Sequence, residues 1–74
     1  MVFFYLSNGG DYLVLNILFR DNALKTFRVR RVTCDTDKYL RSGLYFEMFI
    51  HEPGNGIFVP FVDISKWEVF HRDV

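Results

Sequence analysis

The chain has one cysteine, Cys34, and two prolines in 74 residues, its acidic and basic residues cancel at nine each, and it has no long apolar run. Each scarcity removes a class of protein. A single thiol allows no intramolecular disulfide and no four-cysteine zinc site, so a core must supply the stability, with self-association as the other source. An unpaired cysteine suits a reducing compartment, and a cytoplasmic, intracellular location is expected. A helix needs about 20 apolar residues to span a bilayer. A secretory leader needs a basic start and a longer apolar stretch than residues 1–6 provide. No membrane role is expected.

Zero net charge argues against the global positive field of a nucleic-acid binder and against the acidity of a nucleic-acid mimic. The charge is nevertheless polarised along the chain. Residues 1–43 hold seven basic and four acidic side chains, and residues 44–74 hold two basic and five acidic. Such a distribution can steer a partner, or the two halves can neutralise each other inside one fold.

Catalytic and metal-binding patterns are also missing. A thiol nucleophile would have to draw on Cys34 with His51 or His71 and an acid such as Asp35 or Glu68, and none sits in a recognisable signature. The histidines are too far apart in sequence to present two ligands from one helix. The run Ser7-Asn8-Gly9-Gly10 lacks the Lys and Ser/Thr of a phosphate loop. The expectation is no enzyme, no cofactor and no metal, with Cys34 a small hydrophobe at a strand end.

What the chain does have is aromatic side chains: nine Phe, four Tyr and one Trp. They fall in short apolar runs separated by Gly, Asn, Asp and Pro, the pattern of a small β domain. Residues 2–6 and 12–19 read as two strands joined in a hairpin through Asn8-Gly9-Gly10. In the second of these, Leu13, Leu15, Ile17 and Phe19 share one face. The other face, with Tyr12, Val14, Asn16 and Leu18, is apolar except for Asn16, which predicts burial on both sides. Residues 24–33 predict a third strand with Phe27 and Val29 inward and Arg28 and Arg30 outward, and the break in alternation at Arg31 predicts a bulge or the strand's end. A helix capped by Asp21 is the rival, weakened by β-branched Thr26, Val29, Val32 and Thr33.

Residues 34–42 predict a one-turn helical connector that buries Tyr39 and Leu40 and ends at Gly43. Residues 44–51 predict a strand with Leu44, Phe46, Met48 and Ile50 on one face, followed by a turn at 52–56. Residues 57–62 return as a strand in which Pro60 requires a sheet edge or a bulge. A short or single helical turn at 63–65 and a final strand at 67–71 follow, with a C-terminal helix carrying Ile64, Trp67 and Phe70 as the alternative. The fold class expected is all-β or β-dominated α+β: one small domain, a barrel or strongly bent antiparallel sheet of five to six strands. The segment IFVPFVDISKWEVF, about a fifth of the chain, is similar to the last strand, short turn and terminal strand of SH3-like and Sm-like barrels. It carries no diagnostic motif.

So many rings exceed what one small core absorbs, which predicts a docking surface for another protein. The expected anchors are Tyr12, Tyr45, Phe49, Phe58 and Trp67, with Arg28, Arg30 and Arg31 steering. Edge pairing through the Pro60 strand or the first strand could give a homodimer. A short, cofactor-free chain of this kind would suit a viral or mobile-element accessory protein that inhibits or modulates a larger host protein. The alternative is a small nucleic-acid-binding barrel that uses Lys25, Arg28, Arg30 and Arg31 with exposed rings for base stacking.

Overall fold

The computed structural model describes residues 3–5, 12–48 and 56–72. Its elements are β1 (Phe3–Tyr5), β2 (Tyr12–Phe19), β3 (Leu24–Thr36), β4 (Ser42–Met48), β5 (Gly56–Pro60), a 3-10 turn over Phe61–Asp63, and β6 (Ile64–Arg72). Every strand pairing is antiparallel. The sheet runs β5-β4-β3-β2-β6, with β1 beside β3. Both regions that had a helical rival are therefore strands. Their β-branched and aromatic residues favour a pleated, half-buried surface.

The expected hairpin between the first two strands does not form. Phe3 to Tyr5 pair with Thr33 to Arg31, and β2 then pairs with Val29 to Leu24. Because β4 occupies the opposite side of β3 from Arg31 to Thr36, β1 and β2 lie in succession along one side of it. Both run antiparallel to β3, hence parallel to each other, whereas hairpin partners must run in opposite directions.

The helical connector is also replaced. Strand β3 continues to Thr36, and its ladder with β4 already includes Thr36↔Ser42 and Asp35↔Gly43. Asp37 closes the turn between them: its N–H donates to the Arg41 carbonyl, and its carboxylate accepts from the Tyr39 and Arg41 amides at 2.9 Å. An Asp side chain that ties its own turn in this way competes with a helix start. Tyr39 and Leu40 consequently stand in solvent, 67 % and 85 % exposed, and Gly43 is a buried residue of β4.

The turn between β2 and β3 has the same build. Phe19 N–H donates to the Ala23 carbonyl and Asn22 N–H to the Phe19 carbonyl. In each turn the fourth residue is left-handed, Asn22 at φ 70° and Leu40 at φ 63°. Asn tolerates that conformation; Leu does so poorly.

The 3-10 turn falls at Phe61–Asp63, just upstream of its expected place, after Pro60 ends edge strand β5. It is held to the β2–β3 turn by the Arg20 amide donating to the Asp63 carbonyl and Arg20 Nε to the Val62 carbonyl. The strand, short turn and strand of the closing segment are all present. Strands β5 and β6 are the two ends of the strand path, so the sheet is open between them.

One face of the sheet carries the core: Leu13, Leu15 and Ile17 of β2, Val29 and Val32 of β3, Leu44 and Phe46 of β4, and Ile64 of β6. Burying them at no more than 6 % exposure makes the sheet curl over its own inner face. Two irregularities assist the bend, between Val29 and Arg31 in β3 and at Leu18/Phe19 against β6. The first is the interruption that Arg31 signalled. It explains why Val29 and Val32, three apart, both point inward. The ring of Phe27 in β3 meets that of Phe46 in the neighbouring β4, their centroids 4.9 Å apart. Burial of about 1.5–3 kcal/mol per large apolar side chain makes this cluster the main stabilising element.

Candidate functional site

The inner face of the sheet is spent on the core, so any contact surface has to come from the outer face, the edges or the turns. Strand β2 shows the division: Leu13, Leu15 and Ile17 are buried, while Tyr12, Val14, Asn16 and Leu18 are half-buried on the outer side. The expected burial of β2 on both faces is thus corrected. Among the described residues no second layer covers the outer side.

Register decides which side chains meet there. Val14 lies between Arg28 of β3 and Phe70 of β6. Asn16 lies between Thr26 and Glu68, and the three are tied in a row. The Thr26 hydroxyl donates to Asn16 Oδ1 at 2.7 Å, and Asn16 Nδ2 donates to Glu68 Oε1 at 3.2 Å. Leu18 sits between Leu24 and Lys66. Beside this row an open groove of ≈ 450 Å³ is lined by Asn16, Leu18, Leu24, Lys66, Trp67 and Glu68.

Among the described residues, guanidinium groups lie over rings in three places on this face. The Arg28 guanidinium is 3.9 Å from the Tyr12 ring centroid, that of Arg31 is 5.7 Å from Tyr45, and that of Arg72 is 5.6 Å from Phe70. Each stacks a cation on the negative face of a π system, a contact worth about 0.5–1 kcal/mol when exposed. Arg31 also pairs with Glu47 at 3.1 Å across the β3–β4 ladder.

Two glycines let the rings beyond Arg31 lie flat. The Tyr45 ring covers Gly56, and the Phe58 ring covers Gly43, where a Cβ would come within 2.8 Å of Phe58 Cζ. Strand glycines without side chains are natural seats for neighbouring rings.

The expected site residues divide as follows. Tyr12, Arg28, Arg31, Tyr45 and Phe58 lie on the outer face, with Arg30 half-buried at the register shift between Val29 and Arg31. Trp67 is opposite Ile17 and packs against the core. Lys25, also opposite Ile17, lies on the other side of β3 from Arg28, over the Phe19 ring at 5.7 Å. The basic cluster of the nucleic-acid alternative is therefore split between two faces by strand alternation. Phe49 lies outside the described residues.

Sequence reasoning missed Phe70 and Leu24, 39 % and 68 % exposed. The signal for Phe70 was present in the period-2 spacing of Glu68, Phe70 and Arg72, which the helical alternative for that segment obscured. Cys34 is half-buried against the core, and among the described residues no group of three His, Cys, Asp or Glu side chains could hold a metal ion. Among them, too, no helix is long and apolar enough to cross a membrane.

Compared with protein-family models, curated protein sequences and solved structures, the chain shows no significant match.

Proposed function

We propose that this chain is a non-catalytic binding module whose outer sheet face docks on an acidic protein surface and modulates the protein it covers. The observation that carries the reading is the alternation of rings and guanidinium groups across that face, from Arg72 and Phe70 through Arg28 and Tyr12 to Arg31 and Tyr45. Aromatic and arginine side chains dominate interface hot spots because they combine large apolar area with multiple donors. The arginines also give the partner a required sign of charge. A single-stranded nucleic acid would need the ring faces for its bases. Here Arg28 already lies over Tyr12, and the carboxylates of Glu47 and Glu68 share the face with the cations. Both features favour a protein.

The test is capture from lysate with and without nuclease, followed by quantitative binding of the recovered ligand to Arg28→Glu and Tyr12→Ala variants. The expected ligand survives nuclease, has an acidic surface and binds each variant at least about tenfold more weakly. Its affinity should respond gently to salt. A ligand that is nucleic acid, with affinity falling steeply as salt rises, refutes the reading. Equal binding by the variants refutes it as well.

A further inference from the structure

Strand β6 is an edge: among the described residues it pairs with β2 and has no strand on its other side. A long unpaired edge is a template for another strand, and natural sheets usually blunt it with proline, inward charges or a covering loop. Residues 66–72 contain no proline. Their ladder with β2 runs without a break from Lys66 to Arg72, and the one irregularity falls at Ser65, which is skipped between Ile64 and Lys66. The outer side of this stretch reads Lys66, Glu68, Phe70, Arg72, with Phe70 39 % exposed.

We infer that β6 pairs antiparallel with β6 of a second copy of this chain, in the register centred on Phe70. The inference goes beyond the proposed partner and uses the backbone edge of β6, whose outer side chains Glu68, Phe70 and Arg72 also border the docking face. In that register Glu68 of each copy faces Arg72 of the other, and Phe70 faces Phe70 across the two-fold axis. On the inner side Val69 faces His71. The order Glu, Phe, Arg is complementary to itself when reversed, as a two-fold contact requires.

Neighbouring registers lose this match. Centring on Val69 sets Lys66 against Arg72, which are like charges. Centring on Glu68 brings the two Glu68 carboxylates together. Centring on Trp67 pairs Lys66 with Glu68 but runs the ladder into the irregularity at Ser65 and the 3-10 turn. Directly opposed charges in adjacent strands discriminate between such registers. The dimer joins the two sheets edge to edge, so the ring-and-guanidinium faces of the copies become continuous.

Sedimentation equilibrium from about 1 μM to 1 mM tests the inference. The native chain should self-associate. Glu68→Arg and Arg72→Glu, each converting two attractive contacts into two repulsive ones, should weaken association about tenfold or more. An equimolar mixture of the two variants should form a heterodimer at least as tight as the native dimer, since both cross-strand pairs are then attractive. The double variant Glu68→Arg/Arg72→Glu should regain self-association. A chain that stays monomeric throughout overturns the inference. So do single variants that dimerise like the native chain, and a mixture or double variant that is not rescued while circular dichroism shows it folded.

Discussion

Replacing Gly43 by alanine should destabilise the protein, against the usual expectation for a strand glycine. In a strand interior Gly→Ala ordinarily gains about 0.5–1 kcal/mol by restricting the unfolded chain. At Gly43 the new methyl would press on the Val59 carbonyl, stand 2.7 Å from Pro60 Cα and meet Phe58 Cζ at 2.8 Å. The first two are backbone atoms of the paired strand, so relief means separating β4 from β5. Overpacking of this kind costs about 1–3 kcal/mol, and more where the neighbour cannot yield. With the cost taken at about 3 kcal/mol because two of the neighbours are backbone, the net loss after the ordinary gain is about 2 kcal/mol, from a total of about 4–11 kcal/mol for a domain of this size.

Urea unfolding should show a midpoint lower by about 1–2 M at unchanged slope. The thermal midpoint should fall by about 8–16 °C. Adding Phe58→Ala should leave most of the loss in place, because the ring is the third-nearest contact. Gly56→Ala provides the contrast. Its three nearest contacts all belong to the Tyr45 ring, which can rotate away, so the loss should be smaller and Tyr45→Ala should relieve it. A Gly43→Ala variant as stable as the native chain, or one fully rescued by Phe58→Ala, would refute the close approach of β5 to β4.

Leu40, left-handed at φ 63° and 85 % exposed, should be replaceable by glycine, or by the asparagine its twin turn uses at Asn22, with a gain of about 1 kcal/mol in chemical denaturation. Asp37 gives a pH dependence. Partial burial works to raise its pKa, but hydrogen bonds from the Arg41 amide, the Arg41 guanidinium and the Tyr39 amide, with the Arg41 charge, hold it below the ordinary carboxylate value. A carboxylate depressed in the folded state contributes stability above its unfolded pKa of about 3.9, lost as pH falls through the folded value. Asp37→Asn should therefore lower stability at neutral pH and flatten the acid limb of a urea-midpoint-versus-pH curve, and an acid limb as steep as the native one would contradict this.

The alternation in residues 12–19 grouped Leu13, Leu15 and Ile17 on one face, and that in residues 44–48 grouped Leu44 and Phe46, but β2 was expected to be buried on both sides, and the fold decided which row is the core. The interruption at Arg31 and the edge position of Pro60 were legible as well, since each follows from one residue's own geometry. The partner of residues 3–5 was not. A glycine-rich segment between two strands signals a reversal, and only competition for the side of β3 shows that the chain returns in the same direction. Residues 34–42 misled for a related reason. Asp35, Thr36 and Asp37 can each cap a helix or close a hairpin, and the ladder on either side selected the hairpin.

Local pattern, then, carried the predominance of strand and the grouping of residues by face, because these depend on side-chain period. Which outer residues meet depended on pairings between distant segments, where a shift of one position moves a side chain to the other face. That is why Lys25 parts from Arg28, why Trp67 turns to the core while Phe70 turns out, and why the rings and guanidinium groups come to share one surface.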